Sequence, residues 1–493
     1  MVTRLMSTRF VSIDRDTPIL FPPALRDWVK QDDPVQLVLS LVEALPSHVF
    51  QVNERGSGSR QYPLSMMLAL LVYCYSKSIF SSRRIEQATC ENVSVRYLTG
   101  GAHPDHDTIA ILRRNNAEGI SRCFVQALVY ASEMGLLKQG SISVDGMLIR
   151  ANAGRYRNVR HDELDAVQAH LAEEVAKLLE MAEAADSEDS GAARLPEELQ
   201  NHQALQEKVR QAREKIEARE QQKRHNKRAT SKRFRGGGKG DGGRDPRGRK
   251  EGQPTPKPQA SANLSDVDSR LMRRDNKSAF QQCFNAQAVA DADGTQLILA
   301  THIADAGADN NELLPDVEAV PQELGEFTAI LADSGFANRE QVEAFEAKGK
   351  DVYISVRSEH RPRHPQLPAS TNSRALSPLA KSSFGQRMRD KLATEEGKVL
   401  YKRRRQSIEA CFGLIKHNLK FRQFRLRGLH KVDLEWNLVA LAYNIRIIWN
   451  ANNKARDKKS RHTANARLQR LLHNITTKIQ SQVAHGFLIQ TPT

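Results

Sequence analysis

The chain has 493 residues, of which 74 are Lys or Arg and 58 are Asp or Glu, for a net charge of +16. This length allows two to four domains with a sizeable core, and the excess of positive charge favours a nucleic-acid partner. No apolar run approaches the ~20 residues that span a bilayer, so we expect no membrane partner. The five cysteines are scattered and the N-terminus lacks the apolar stretch of a signal peptide, which predicts reduced thiols and a cytoplasmic location.

The pattern in residues 1–140 predicts an all-helical domain. The run Met66–Tyr75 is apolar on all sides and predicts a buried helix, Ser81–Ser82 cap a short one, and a longer helix begins at Pro104 and ends near Leu137. Four arginines point outward in this pattern: Arg83, Arg84, Arg113 and Arg114. A DNA-binding bundle and a packing domain with ordinary surface arginines explain them equally well.

The next segments alternate between a strand, helices and a charged linker. Residues 141–150 predict a strand that carries Asp145, and residues 161–222 predict an antiparallel helical hairpin with coiled-coil seams. Residues 223–258 contain 13 Lys or Arg and 3 Asp or Glu among many Gly and Pro. Such a composition cannot form a core, so a disordered linker is predicted over 223–260, with a possible role in phosphate contact.

The C-terminal half returns to strands. FNAQAVADA and TQLILATHI, on either side of Asp293-Gly294, predict a hairpin, and FTAILADSG predicts a further buried strand that ends at Asp333. Residues 431–450 predict an apolar helix, and residues 451–493 a basic tail.

Residues 401–427 place one acid, Glu409, within dense positive charge. Ile408, Phe412, Ile415 and Leu419 make an apolar stripe at helical spacing, and on a regular helix Arg405 and Lys416 would share the face of Glu409. A solvated surface ion pair is the ordinary explanation of such an arrangement. A carboxylate in a basic groove also suits an enzyme that holds a metal against a polyanion.

Three acids therefore stand out by position: Asp145 on a strand, Asp333 at a strand end and Glu409 on a helix. Strand ends and an adjoining helix are where ligands converge in α/β folds. Carboxylates are the ligands that two Mg²⁺ ions need for in-line phosphoryl transfer. An acid at a strand end is nevertheless more often a helix cap or a surface residue.

The chain resembles the DDE transposases of bacterial insertion sequences from about residue 15 to 450. The likeness rests on PILFPPALRDWV, SSRRIEQAT, PDHDTIAILRR, SVDGMLIRANAG, DVDSRLM, FNAQAVADADGTQLILA, ILADSGFAN and YKRRRQSIEACFGLIK, which follow the family's order. It implies a ribonuclease-H-like catalytic core, an α/β (α+β) fold whose mixed sheet has flanking helices. That core would comprise residues 141–160 and 261–450, interrupted by the hairpin and the linker.

The resemblance also implies the site. Asp145, Asp333 and Glu409 match the three catalytic, metal-binding acids, and two Mg²⁺ or Mn²⁺ ions would be the cofactors. Tyr401, an arginine, Glu409 and Lys416 resemble the tyrosine–arginine–glutamate–lysine signature. The spacing is one residue too long, so Arg404 and Arg405 both remain candidates for its arginine.

The implied function is metal-dependent cleavage of double-stranded DNA at terminal inverted repeats, followed by strand transfer into target DNA. A homodimer on DNA, associated with the nucleoid, is the implied working form. The cationic residues around Glu409, among them Lys420 and Arg422, would track the DNA backbone. Two alternatives remain open: a nuclease of the same fold that does not join strands, and a domesticated or inactive copy that only binds DNA.

A second polar group follows the predicted hairpin. His302, Asp305 and Asp309 could be mistaken for a metal cluster, but we interpret them as loop and cap residues.

Overall fold

A computed structural model describes residues 24–50, 61–138, 140–188, 195–234, 257–273, 277–356, 379 and 382–458. Most of the predicted linker and of the predicted tail therefore lies outside the described residues. Within them no helix is both long and apolar enough to cross a membrane. All five cysteines are unpaired, as their spacing predicted.

Six helices precede the first strand in the described residues. They are α1 (Pro34–Glu43), α2 (Leu64–Ser76), α3 (Ser82–Glu91), α4 (Val93–Thr99), α5 (His106–Asn115) and α6 (Ala117–Glu133). The predicted buried helix is confirmed as α2, whose residues from Met67 onward are all buried. The prediction of one long helix to Leu137 was wrong. Asn116 interrupts it, because its side chain accepts a hydrogen bond from the Gly119 amide and starts a new helix.

A mixed six-stranded sheet follows, so the chain is a mixed α/β protein. Its strands are β1 (Ser141–Arg150), β4 (Arg270–Met272), β5 (Gln281–Asp291), β6 (Ile298–Ala304), β7 (Ala329–Ala332) and β8 (Asp351–Ile354). The order is β4-β5-β1-β7-β8, with β6 also paired to β5. β1, β7 and β8 are parallel, and β5 is antiparallel to β1 and to β6. The predicted strand at 141–150 and the predicted hairpin are both confirmed.

Short helices cover the second half of the sheet. They are α9 (Leu313–Glu318), α10 (Arg339–Ala347), α11 (Ser383–Ala393), α12 (Glu395–Arg404) and α13 (Ala410–His417), and a long α14 (Leu429–Lys458) ends the described chain. On one sheet face Ala329, Leu331 and Tyr353 pack against Leu400 and Tyr401. This packing places α12 over the ends of β1 and β7.

Helix α14 joins the sheet to the N-terminal helices. It contacts α2 and α6 on one side and β6 on the other, and its Leu438, Leu441 and Ile445 are completely buried. The Trp436 indole donates a hydrogen bond to the Gln287 carbonyl of β5 at 2.7 Å. One continuous apolar core therefore extends from the N-terminal helices through α14 into the sheet.

The predicted helical hairpin is confirmed as α7 (Leu164–Glu188) and α8 (Leu195–Phe234). Its separate apolar cluster also includes residues of the small sheet formed by β2 (Asn158–Arg160) and β3 (Ser261–Asn263). Helix α8 continues past residue 223, where the linker was predicted to begin, because the sequence up to residue 234 has no Gly or Pro to stop it.

Candidate active site

The parallel pairing of β1 with β7 brings Asp145 and Asp333 together. Val144 lies opposite Ala332 in the register, so the next residue of each strand is an aspartate at the same level. Asp333 leaves the strand and accepts a hydrogen bond from the Gly335 amide at 2.7 Å. Asp145 on β1 and Asp333 directly after β7 thus lie side by side, at the level where β7 ends in the interior of the sheet.

Asp145 is the more buried of the two, with 18% of its side chain exposed. Burial, and next the negative charge of Asp333, raise the pKa of Asp145 to about 7, while Arg404 acts in the opposite direction. Two carboxylates held this close carry an excess of negative charge that a cation would relieve.

Arg404 connects Asp145 to Glu409. Its guanidinium lies 3.4 Å from the Asp145 carboxylate through Nη1 and 3.1 Å from the Glu409 carboxylate through Nη2. The Arg404 side chain is only 6% exposed, whereas that of Glu409 is 48% exposed. One buried cation therefore links the first strand to the helical segment, and the glutamate still faces solvent.

A π-helical turn, Arg405–Glu409, explains the irregular signature spacing. A π turn accommodates one more residue than an α-turn, and such turns occur frequently at functional sites. Because of this extra residue Arg404, five positions before Glu409, contacts it. The expectation of a regular helix with Arg405 on the Glu409 face was wrong, and Arg405 is exposed.

Two further signature residues lie nearby. The Tyr401 ring centroid is 5.8 Å from the guanidinium carbon of Arg404, and its side chain packs against the sheet. Lys416 is half-buried on α13, where its charge lowers the pKa of the Cys283 thiol on β5 against the larger effect of burial.

Asp309 also approaches the site, which the sequence interpretation missed. Its Oδ1 accepts hydrogen bonds from the amides of Asn285 and Gln287 on β5, at 2.8 and 2.6 Å. A Cβ at Gly335 would lie 3.2 Å from the Asp309 Oδ2 and 2.9 Å from the Asp333 Oδ1. Gly146 leaves room for this arrangement, since a Cβ there would meet the Gln287 amide at 2.5 Å. Asn285 and Gln287, the two polar residues that alternate within FNAQ on β5, were the available signal.

The other two polar residues make structural contacts, and the interpretation of His302 as a loop or cap residue was wrong, because His302 lies within strand β6. Asp305 pairs with Lys215 of α8 at 3.0 Å and with Arg270 at 3.5 Å. His302 pairs with Glu312 at 3.4 Å. Their interpretation as something other than a metal cluster agrees with these contacts.

The N-terminal arginines divide into two groups. Arg83 and Arg84 on α3 and Arg114 on α5 are exposed. Arg113 is buried, and its guanidinium donates to the Tyr75 hydroxyl and to the Phe80 carbonyl at 3.3 and 2.8 Å. The prediction that Arg113 points outward toward DNA was therefore wrong. It lies one position away from Arg114, on the face of α5 that meets the core.

A basic loop follows α13. Its exposed cations alternate with buried apolar residues: Lys420, Arg422, Arg425 and Arg427 are exposed, and Phe421, Phe424 and Leu426 are buried. Phe424 makes edge contacts with Phe284 of β5 and with Phe421, at centroid distances of 5.8 and 5.5 Å. The aromatic residues anchor the loop, so the cations form a fixed charged surface.

The motif DVDSRLM fixes the end of this loop. Asp266 accepts a hydrogen bond from the Gly428 amide at 3.2 Å, and Asp268 accepts one from the Leu429 amide at 2.9 Å. Both carboxylates thereby satisfy amides at the start of α14. Lys215 of α8 pairs with Asp268 at 2.8 Å, so the hairpin is fastened to the same point.

The donor chemistry of the site fits a divalent cation. Asp145, Asp333 and Glu409 offer only carboxylate oxygen, which hard cations prefer, and the crowding of Asp145 and Asp333 favours added positive charge. Within the described part of the chain, however, no three His, Cys, Asp or Glu side chains are arranged to hold one ion together. Glu409 and Asp145 are linked indirectly, because the Arg404 guanidinium donates a hydrogen bond to each carboxylate.

Two family models match the chain. One, described as a transposase DDE domain, matches residues 362–449, and the other, described as a transposase domain, matches residues 23–115. No curated protein and no solved structure gives a significant match. The first range contains Glu409, the signature residues and the basic loop, whereas Asp145 and Asp333 lie outside both ranges. A DDE domain implies a transposase, an enzyme that acts on DNA. Together the matches confirm the resemblance indicated by the sequence motifs, to the DDE transposases of insertion sequences.

Proposed function

We propose that the chain cleaves DNA at the terminal inverted repeats of an insertion sequence and transfers the freed strand into target DNA. The observation that carries the proposal is that Asp145 and Asp333 lie at the same level in the register of β1 and β7, and that Arg404 contacts both Asp145 and Glu409. In the sequence, the hairpin and the linker lie between Asp145 and the other two acids. The exposed cations beside them fit a polyanionic substrate.

Two Mg²⁺ or Mn²⁺ ions would be held by Asp145, Asp333 and Glu409. When bound, they would activate the attacking water or 3′-hydroxyl and stabilise the leaving oxygen. Arg404 orients the Asp145 and Glu409 carboxylates. The arginines and lysines of the basic loop hold the DNA backbone, and Lys416 contacts a phosphate of the same strand.

Asp309 acts in this proposal as a positioning residue for the Asp145–Asp333 pair. Two amide donors fix its Oδ1. For Asp309→Asn, which keeps the size of the side chain, we expect about tenfold more Mg²⁺ to be needed for half-maximal nicking, the usual cost of losing an outer contact at a metal site. Asp305→Asn is the matched control, because its pairs with Lys215 and Arg270 lie away from the three acids.

The architecture supports a ribonuclease-H-like core. The sheet is mixed, because β5 runs antiparallel to β1, β4 and β6 while β1, β7 and β8 are parallel, and a mixed sheet with flanking helices is what the family resemblance implies. Residues 141–160 and 261–450 would make this core, and residues 1–140 an N-terminal helical DNA-binding part that uses Arg83, Arg84 and Arg114. We further propose that two copies act as a homodimer, since two element ends must be cut and joined.

The test uses the full chain and linear duplexes taken from the DNA that flanks its gene. We expect Mg²⁺-dependent 3′ nicking that Asp145→Asn, Asp333→Asn and Glu409→Gln each abolish. Asp351→Asn, an exposed aspartate of β8 that pairs with Lys391, should leave nicking unchanged. Full activity in any of the three site variants would refute the site.

Product analysis separates the rival functions. Joined strands on a gel support a transposase, and nicks without joined products would instead indicate a nuclease of the same fold. Binding without cleavage at any metal concentration would indicate a DNA-binding protein without catalytic activity. Light scattering of the DNA complex tests the homodimer.

A further inference from the structure

The turn at residues 154–158 presents Tyr156 to solvent. Its side chain is 89% exposed, the largest exposed fraction among the large hydrophobic residues of the described chain. Neighbouring Arg155 has its guanidinium carbon 5.0 Å from the Tyr156 ring centroid. An aromatic ring is among the side chains that gain most from burial, so a ring left in water is a candidate contact for a partner.

The turn that carries this ring is well braced. The Arg157 amide donates to the Gly154 carbonyl at 3.2 Å, and the Leu264 amide donates to the Arg157 carbonyl at 2.8 Å. Asn263, which is completely buried on β3, donates to the Gly154 carbonyl and to the Asn158 side chain at 2.8 and 3.0 Å. The backbone below Tyr156 is thus ordered before any partner binds, which lowers the entropic cost of a contact.

The same turn is joined to the basic loop. Asn152 donates to the Arg425 carbonyl at 2.9 Å, and Arg427 donates through Nε to the Asn152 carbonyl at 2.8 Å. Exposed Arg155 and Arg157 therefore lie on the same side of the molecule as exposed Arg425 and Arg427. We call these four arginines together with Tyr156 the aromatic–arginine surface.

We infer that the aromatic–arginine surface extends the DNA contact of the basic loop, with its arginines holding phosphates and Tyr156 stacking on a nucleobase that has left the helical stack. Every base has a π face, so aromatic stacking needs no particular sequence, and arginines track the backbone beside it. The inference rests on the proposed function, since it needs DNA as the bound partner. Arg155 beside the ring, with exposed Arg157, Arg425 and Arg427 on the same and the adjoining segment, favours a nucleic acid over an apolar protein patch.

The position of the surface predicts where along the DNA this base lies. Strand β1 continues for five residues from Asp145 to Arg150, which is about 17 Å at ~3.3 Å per residue. The turn follows that strand. With the DNA axis running along β1, at ~3.4 Å per base pair the contacted base would lie about five pairs from the bond that the three acids would cut.

The experiment measures binding of the full chain to labelled duplexes without divalent metal, so that no cleavage occurs. One duplex is fully paired, and the others carry a single unpaired 2-aminopurine that moves stepwise along the strand. We expect the duplex with the unpaired base at the matching position to bind about tenfold more tightly, with 2-aminopurine fluorescence quenched by stacking.

Three variants assign the effect to residues. Tyr156→Ala should bind paired and unpaired duplexes equally, and Tyr156→Phe should keep the preference because stacking needs only the ring. The double variant Arg155→Ala/Arg157→Ala should weaken binding to all duplexes alike and lower the slope of log affinity against log salt by about 2. Leu179→Ala, on the exposed side of α7, is the control and should resemble the wild type.

The outcomes distinguish this inference from the proposed function. If no duplex binds, DNA is not the partner and the proposed function fails with it. If all duplexes bind equally, or if Tyr156→Ala keeps the preference for the unpaired base, the stacking inference is overturned while the proposed function stands.

Discussion

At the residue scale, Arg404 and Asp316 show how burial sets the behaviour of charged groups. Arg404 is buried between two carboxylates, so its charge is compensated where it lies. Asp316 on α9 is buried with both carboxylate oxygens lacking hydrogen bonds. Burial raises its pKa to about 8, and nearby His302 partly opposes that rise.

Arg404 and Arg405 provide a neighbouring pair for testing the candidate site. We expect Arg404→Ala to lower DNA nicking about 100-fold, because Asp145 and Glu409 lose the group that orients them. Arg405→Ala keeps that contact and should change nicking by less than about threefold, as expected for an exposed phosphate-binding residue. Initial rates at saturating Mg²⁺ measure both. Equal losses of nicking rate in the two variants would show that Arg404 does not orient the carboxylates of Asp145 and Glu409.

Asp316 predicts a pH dependence of stability. Its folded pKa of about 8 exceeds the ordinary value of 3.8, so the folded state binds the proton more tightly. The unfolding free energy should therefore fall as pH rises from about 4 to 8, by up to ~1.4 kcal/mol per pKa unit. Urea denaturation at pH 5 and pH 8 measures this. Asp316→Asn should flatten the dependence, whereas exposed Asp107→Asn should not.

At the element scale, the basic loop depends on a series of aromatic contacts. The Phe424 ring contacts the rings of Phe284 and Phe421. The Phe421 ring in turn contacts the ring of Phe80, between α2 and α3, at a centroid distance of 5.2 Å. This series fastens the loop to both the sheet and the helices. The cations of the loop are consequently held at fixed positions before DNA arrives.

Phe424→Ala should therefore affect stability and binding together. We expect a loss of about 3–5 kcal/mol in unfolding free energy, since the side chain is completely buried. DNA affinity should fall as well, because the cations lose their support. The control is Phe280→Ala, whose ring is 46% exposed and should cost within about 0.5 kcal/mol. Urea denaturation and anisotropy measure the two quantities. An unchanged DNA affinity would show that the loop does not need this anchor.

The sequence predicted the elements with strong periodicity, and it missed local interruptions. Strand β1, the β5–β6 hairpin and the buried α2 follow their apolar patterns, as expected when burial sets the structure. The break at Asn116 depends on a single side-chain hydrogen bond, and the π turn at Arg405–Glu409 comprises only five residues. The burial of Arg113 depends on a partner far away in sequence. Asp309 was missed for the same reason, because its amide partners lie on another strand.

At the scale of the whole molecule, a buried polar network joins the N-terminal helices to α14 and the basic loop. Completely buried Glu435 on α14 accepts hydrogen bonds from the Tyr75 hydroxyl at 3.1 Å and from the Arg425 amide at 2.7 Å. Burial raises the pKa of Glu435, and the charge of Arg113 opposes this. The buried charges of Glu435 on α14 and Arg113 in the N-terminal helices thus compensate each other, and Glu435 also binds the backbone of the basic loop.

Arg113→Ala tests this network. Removing Arg113, whose charge opposes the effect of burial on Glu435, takes away compensation from a buried carboxylate, which should lower the unfolding free energy by about 3–5 kcal/mol. Arg114→Ala, at the exposed neighbouring position, should cost within about 0.5 kcal/mol but weaken DNA binding and its salt dependence. Calorimetry and anisotropy measure the two effects. A stable Arg113→Ala variant with impaired DNA binding would contradict this, and would assign Arg113 to DNA contact and not to the buried network.

The π turn has a consequence for tolerance to deletion. It contains one residue more than an α-helix needs, so shortening the chain at exposed Gln406 would let α12 continue into α13 as a regular helix. Arg404 would then be four positions before the glutamate, still on the same face. We expect this one-residue deletion to leave the melting temperature nearly unchanged, whereas deletion of Phe412 in the regular part of α13 should unfold the protein. The position where a helix can lose a residue is thus beside its candidate catalytic acid.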